Sequence, residues 1–296
     1  MLHFLVTAAH DYTLRRYFRQ WGATLEAAVT SSHYESEPWK AEAAPGTWVF
    51  TDLERLDEPT LAKAIAFSRH LESDPLRWQV INQPSRVLRR HPLLDRLWAE
   101  GINTFRAFRL DRVPEDARYP LFVRGEQDHD GSRSPLLEDR QALQAFAARH
   151  QDTLRGIRPL AIEYLPYQRA DGLFVKYSVM RVGAALVPRH ILFGRRWQVK
   201  DPEVVSPSLV AEENAYVTGA QHAQALMEIF RLAGIGYGRI DYTLTGEQIQ
   251  VFEINTNPTL VPGVAVLDPR RWQSQAASAF QLNQALYAAG ARREVA

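Results

Sequence analysis

The residues best suited to chemistry stand in the run Gly238-Arg-Ile-Asp-Tyr-Thr-Leu-Thr-Gly-Glu-Gln-Ile-Gln-Val-Phe-Glu-Ile-Asn-Thr-Asn-Pro258. Two strand-forming stretches flank Thr245-Gly246-Glu247, which is a hairpin signal. If the hairpin turns symmetrically about Glu247, Asp241 lies opposite Glu253 and Arg239 opposite Asn255. Side chains alternate along a strand, so Asp241, Glu253 and Asn255 share one face, while Ile240, Tyr242, Phe252 and Ile254 share the other and pack inward. Two carboxylates facing each other across a sheet repel. A divalent cation offsets that repulsion. Magnesium takes oxygen ligands, usually one or two carboxylates completed by substrate phosphates and water, and Asn255 adds a third oxygen. A plain ion pair with Arg239 or another base explains the same residues, and a register slip of one residue would part the two carboxylates.

The segment Asp241, then Glu253-Ile-Asn-Thr-Asn-Pro258, resembles the metal-binding end of the ATP-grasp superfamily, which includes glutathione synthetase, D-alanine–D-alanine ligase and glutamate-adding ligases. The resemblance implies an N-terminal pre-ATP-grasp α/β domain followed by a two-lobed ATP-grasp fold, α/β and α+β in class. It implies ATP and one or two Mg²⁺ ions, the metal held by Asp241, Glu253 and Asn255. Arg124, closing Tyr119-Pro-Leu-Phe-Val-Arg124, stands where the family places a phosphate-binding lysine, and arginine presents a planar fork instead of a point charge. The glycine-rich loop that covers the triphosphate corresponds to residues 125–134, where Gly131 and Ser132 keep the pattern while Glu126, Asp128 and Asp130 would repel phosphate. Ala161-Ile-Glu-Tyr-Leu165 matches the adenine hinge, with Glu163 accepting from adenine or ribose beside Tyr164 and Leu165. Lys176 and Arg181 fall on the next strand pair, Arg181 matching an arginine near the transferred phosphate. Arg89 or Arg90 stands near the family's first nucleotide-binding lysine. Arg124 as a strand-end charge, Glu163 as a lone strand glutamate, and Lys176 and Arg181 as solvated charges are the plainer readings.

The activity the resemblance implies is a carboxylate–amine (or carboxylate–thiol) ligase working through an acyl phosphate, with Arg124 and Arg181 neutralising the moving phosphoryl group. Positioning and charge neutralisation dominate phosphoryl transfer, which suits a site with no evident nucleophile. An ATP-grasp kinase and a non-catalytic nucleotide-binding module are the rivals. Expected partners are small-molecule or peptide carboxylates and amines, with a homodimer also expected from the resemblance.

The rest of the sequence narrows the classes. With 35 basic and 34 acidic residues the net charge is +1, which argues against nucleic acid and membrane as partners. There is no cysteine, so disulfides and thiolate metal sites are excluded. No apolar run approaches the roughly 18 residues of a membrane helix, and residues 1–10 read as a buried strand, not a leader; a cytoplasmic location is the default expectation. Gly234-Ile-Gly-Tyr-Gly238 follows a helix and precedes a strand, the reverse of a dinucleotide fingerprint. The basic run His190, Arg195, Arg196, Lys200 reads as an anionic-substrate pocket or, more simply, a solvated loop. The seven tryptophans are scattered and read as core.

These side chains need elements to hold them. Strands at 2–8, 24–30, 47–51 and 78–81 alternate with helices at 12–21 and 60–71, which predicts a small, mostly parallel sheet in a domain 1–83. A helix at 85–100, kinked at Pro92, strands at 104–110 and 121–124, and a helix at 139–154 make a lobe 84–159. A third lobe, 160–296, holds strands at 160–164, 174–182, 184–192, 237–244 and 248–253, a long helix at 209–233 and a closing helix at 269–288.

Overall fold

The computed structural model describes residues 1–127 and 131–291. The first domain comprises β1 (Leu2–Val6), α1 (Tyr12–Gln20), β2 (Val29–His33), β3 (Gly46–Phe50), α2 (Glu58–Glu72) and β4 (Trp78–Ile81). Its sheet is parallel throughout, in the order β2-β1-β3-β4. All five residues of β1 are buried, as a central parallel strand covered on both faces requires. The strand expected at 24–30 starts later. Ala23–Ala28 forms a 3₁₀ segment, and its three alanines are poor strand formers. Asp57 caps α2 by accepting from the Thr60 amide at 2.8 Å.

The middle lobe holds α3 (Arg90–Ala99), β5 (Ala107–Arg109), β6 (Leu121–Gly125), α4 (Arg140–Arg149), α5 (Gln151–Leu154) and β7 (Pro159–Glu163). Its antiparallel sheet runs β5-β7-β6. Strand β7 is therefore the centre of this sheet, although the sequence reading begins the third lobe with it. Leu160, Ala161 and Ile162 are buried, and each pairs with β5 on one side and β6 on the other. Pro92 lies in the first turn of α3, where a missing amide hydrogen is not needed, so it does not interrupt the helix. The helix expected at 139–154 is two pieces that meet at His150.

The last lobe holds β8 (Phe174–Val182), β9 (Ala185–Gly194), α6 (Pro207–Thr218), α7 (Ala223–Leu232), β10 (Tyr237–Thr245), β11 (Gln248–Asn255) and α8 (Trp272–Gly290). Its antiparallel sheet runs β11-β10-β8-β9. The long helix expected at 209–233 is broken at Gly219, a residue with the highest backbone entropy to lose, and α7 restarts after His222 in a left-handed conformation. Helix α8 packs on β8 and β9 and reaches β1 and β3. One apolar cluster joins Phe4, Val6 and Val49 of the first domain to Met180, Tyr237, Leu282 and Leu286 of the last lobe. Among the described residues no helix is long and apolar enough to cross a membrane.

Candidate functional site

The β10–β11 hairpin sets the register of the site. Arg239 pairs with Asn255, Ile240 with Ile254 and Asp241 with Glu253, as expected, but for a different reason. The turn is the two-residue Gly246-Glu247, closed by Thr245 opposite Gln248, with Gly246 at φ +60°. Continued regularly, that turn would set Asp241 against Phe252. A bulge between Asp241 and Tyr242 takes up the extra residue and restores Asp241 to Glu253. Bulges re-aim side chains, and Phe252 with Glu253 here lines the cleft, whereas Phe252 was expected inside. Ile240 and Tyr242 are fully buried as expected.

Above this hairpin lies a cleft of about 340 Å³ between the β5-β7-β6 sheet and the β11-β10-β8-β9 sheet. It gathers Arg124, Gly131, Ser132, Glu163, Tyr164, Leu165, Lys176, Asp241, Glu253 and Asn255, contributed by five strands and two loops. One end is apolar. Phe122 meets Trp197 with ring centroids 4.9 Å apart, and Phe252 lies 5.3 Å from Tyr167 and 6.4 Å from Phe105. The other end is charged. Asp241 accepts from Ser178 Oγ at 2.7 Å and Arg239 Nε at 2.9 Å, with Lys176 Nζ at 3.2 Å. Burial pushes its carboxyl up; Arg239 and Lys176, helped by Ser178, outweigh burial and hold it below the ordinary carboxylate range. Glu253 Oε2 accepts from Arg124 Nη2 at 3.0 Å and from Arg90 Nη2. Guanidinium and ammonium groups thus interleave the two facing carboxylates and relieve their repulsion, so the ion-pair reading of these residues and their place in the cleft hold together.

Several expected residues take other positions. Arg181, expected at the moving phosphate, is not brought to the cleft. Its Nε donates to the Gly183 carbonyl at 2.8 Å and its Nη1 to the Ile235 carbonyl at 2.9 Å, over the Phe230 ring. It sits at the far end of β8, three residues beyond the Ser178–Asp241 pair, so its backbone position alone carries it away. Glu163 borders the cleft, but its carboxylate is taken up by Arg106 and Arg118. Arg106 N and Arg118 N donate to it at 2.9 Å each, and Arg118 Nη2 at 2.7 Å. That leaves the carboxylate turned to its own lobe, not to a bound base. Glu126, expected to repel phosphate, is buried and held by Arg109 at 2.6 and 3.1 Å. Asp128 and Asp130 lie outside the described residues. Of Arg89 and Arg90, it is Arg90 that reaches the site; it also donates to the carbonyls of Gly125 and Glu126 at 2.6 and 2.9 Å, while Arg89 turns toward Leu53.

Three contributors were not assigned to the nucleotide site from sequence. Arg239 was taken only as a competing base, yet it lines the cleft beside Asp241. The aromatic end is assembled from positions 105, 122, 197 and 252, and no local pattern links them. Lys200 belongs to the basic run read as an anionic-substrate pocket or, more simply, a solvated loop; it crosses directly over Gly131, where a Cβ would lie 2.5 Å from Lys200 Cε. Gly131, at φ +93°, is thus favoured by its conformation, while the flexible end of Lys200 would swing aside for a side chain there. Of the rest of that run, Arg195 and Arg196 line an adjoining hollow of about 590 Å³ that shares Trp197 and Lys200 with the cleft. His190 pairs with Ser178 across β8 and β9, and burial among Arg239 and Arg189 drives its pKa well down.

No family model and no curated protein matches the sequence. Solved structures do match the fold. The D-alanine–D-alanine ligase of Bacillus anthracis, complexed with ATP, is 12% identical over 97% of both chains with a TM-score of 0.53. The D-cycloserine synthetase DcsG is 14% identical over 96% of this chain and 99% of its own, at 0.52. The D-alanine–D-alanine ligase of Coxiella burnetii is 15% identical over 97% and 94%, at 0.51. These neighbours extend over all three parts of the molecule, and the chain therefore has the ATP-grasp fold.

Proposed function

We propose that this protein is an ATP- and magnesium-dependent ligase that joins a carboxylate to an amine or thiol. One observation carries the reading: a single cleft runs from an aromatic slot to paired carboxylates set among Arg124, Lys176, Lys200 and Arg239. That sequence of surfaces is the shape and charge order of a purine nucleotide. The slot takes a flat base by stacking, and the backbone of Glu163 to Leu165 edges it. The cations take the phosphates.

The donor set suits magnesium. Asp241 and Glu253 face each other across neighbouring strands, and Asn255 follows on the same face, its Oδ1 fixed by the Asn257 amide at 2.8 Å. Among the described residues no three acidic or histidine side chains converge. The protein thus offers few, hard oxygen ligands, the division of labour magnesium accepts when phosphates and water complete its shell. The ion, when bound, adds charge neutralisation at the phosphates. Arg124 and Arg239 flank the carboxylates and are placed to stabilise charge on a phosphoryl group in transfer. Arg239 takes the part assigned from sequence to Arg181. Transfer to a substrate carboxylate gives an acyl phosphate, and an amine or thiol that attacks its carbonyl expels phosphate. The neighbours named above as ligases and a synthetase support this reaction class.

The test is thermal unfolding with ATP and Mg²⁺, for wild type and the Asp241→Asn/Glu253→Gln double variant together. A ligand bound only to the native state adds about 2.7 kcal/mol at a hundredfold excess over Kd. A magnesium-dependent rise in wild type, absent from the variant, supports the site. ADP release with pooled amino acids and peptides, and hydroxamate formation with added hydroxylamine, then supports the acyl phosphate. No response to any nucleotide sinks the reading.

A further inference from the structure

Two bulges bring one row of side chains together. Glu253 pairs with Asp241, Asp241 with Ser178 and Ser178 with His190, so the row crosses the whole β11-β10-β8-β9 sheet on one face. Ser178 Oγ donates to Asp241 at 2.7 Å. The second bulge lies between Ser178 and Val179. Continued regularly from Val179 opposite Pro188, the ladder would set Arg189 against Ser178 and His190 against Tyr177. Tyr177 belongs to the other face, where its ring stacks on Tyr242 and meets Tyr216. The extra residue, Arg189, turns His190 onto the face of Asp241 instead. Neighbouring strands lie about 4.8 Å apart, so His190 stands about 10 Å from Asp241 along the row.

The His190 imidazole is half-buried and makes no hydrogen bond or ion pair with any described residue. Lys176 of β8, Arg239 of β10, Arg189 of β9 and Arg271 just before α8 surround it with positive charge. Burial, and after it these cations, hold its pKa well below 6.5, so the ring is neutral at pH 7 and keeps a lone pair. We propose that His190 is the general base that takes the proton from the amine in the joining step. This role rests on the nucleotide reading, which leaves that proton without an acceptor. Asp241 and Glu253 are engaged by cations, and charged lysine and arginine have no lone pair to offer. From a phosphoryl group held at Asp241 and Glu253, the carbonyl carbon and the attacking nitrogen follow in steps of roughly 3 Å, which carries the nitrogen along the row toward His190. The nitrogen bonds to the carbonyl carbon, the bond from that carbon to the phosphate oxygen breaks, and phosphate leaves with the electron pair. The nitrogen's proton passes to the imidazole. Phosphates in the cleft offset the cations around the ring and raise its affinity for that proton.

The test sets two nucleophiles against each other at neutral pH, with ATP, Mg²⁺ and pooled amino acids as the carboxylate source, on wild type and His190→Gln. Hydroxylamine is unprotonated at this pH and attacks an acyl phosphate unaided. Ammonia and the amino groups of the pool are protonated and need a base. His190→Gln should keep the ATP-induced thermal shift and hydroxamate formation within about twofold, and lose amide formation roughly a hundredfold or more. Added imidazole should restore part of the amide formation to His190→Ala, as it would not for a residue needed only for packing. A parallel fall of hydroxamate and amide overturns the proposal, because His190 would then serve phosphoryl transfer. So does amide formation that survives His190→Gln, or a wild type that forms hydroxamate but no amide with the pool or with ammonia. A wild type with neither hydroxamate nor an ATP-induced shift overturns the nucleotide reading itself, and the role of His190 with it.

Discussion

Each carboxylate around the cleft is defined by the cations that reach it. Glu253 and Asp241 are met by cations that also line the cleft, whereas Glu163 is met by Arg106 and Arg118 on the outer side of its strand. Glu163 is therefore a stability residue. Burial pushes its carboxyl up, but the two arginines and two backbone amides outweigh burial and hold it below the ordinary value of 4.5. A depressed folded-state pKa gives stability that is present above the unfolded value and lost as pH falls through the folded one. Wild type should accordingly lose stability below about pH 4.5, and Glu163→Gln should flatten that part of the fall. At pH 7 the substitution should cost about 2 kcal/mol, discounted because Arg118 is largely exposed. Urea midpoints at pH 7 and in acid decide it; an unchanged midpoint at pH 7 would return Glu163 to the cleft. Arg181→Gln belongs with it: its bonds close a turn, so the thermal midpoint should drop by a few degrees while the ATP response stays within about twofold. A tenfold loss of ATP affinity would restore its phosphate role.

At the scale of elements, the site depends on one extra residue. The bulge at Phe252 allows a tight two-residue turn and a cleft-facing Glu253 to coexist in one hairpin. Deleting Phe252 should regularise the ladder with Glu253 still opposite Asp241, because Glu253 then takes the place next to Val251 that the regular turn gives to Phe252. The expected result is a folded protein that keeps a magnesium-dependent ATP shift, made smaller by loss of the ring. Phe252→Ala keeps the register and removes only the ring, so it should weaken nucleotide binding by about 1–3 kcal/mol, the usual worth of a base–aromatic stack. If both variants bind as well as wild type, Phe252 has no part in the site.

Across the whole molecule, α8 fastens the last lobe to the first. Thr47 Oγ donates to the Ala289 carbonyl at 3.0 Å, the Met1 amine to the Gly290 carbonyl at 2.8 Å, and a shared apolar cluster fills the seam. Just past β11, Thr256 Oγ donates to Glu54 at 3.1 Å and Asn257 Nδ2 to Asp52 at 2.9 Å. The first domain thus underlies the strand end that carries Glu253 and Asn255. Tryptophan fluorescence and far-ultraviolet circular dichroism should report one coincident unfolding transition for these two parts. Separate transitions would mean that the seam is weaker than its contacts suggest.

The sequence alone determined whatever is local. A hairpin finds its partners close by in the chain, so the opposition of Asp241 to Glu253 and of Arg239 to Asn255 was legible in outcome, although the two-residue turn and the bulge that together produce it were not. Parallel strands alternating with helices gave the first domain for the same reason. The tertiary structure decided what depends on distant chain segments. It made β7 the centre of the middle sheet, because its partners β5 and β6 lie far from it in the chain and sequence names neither. It gathered Phe105, Phe122, Trp197 and Phe252 into one slot, spent Glu163 and Glu126 on arginines of their own lobe, and laid Lys200 over Gly131. Each of these rests on packing between residues far apart in the chain, where the free energy of burial and ion pairing selects the partner and no periodicity records the choice.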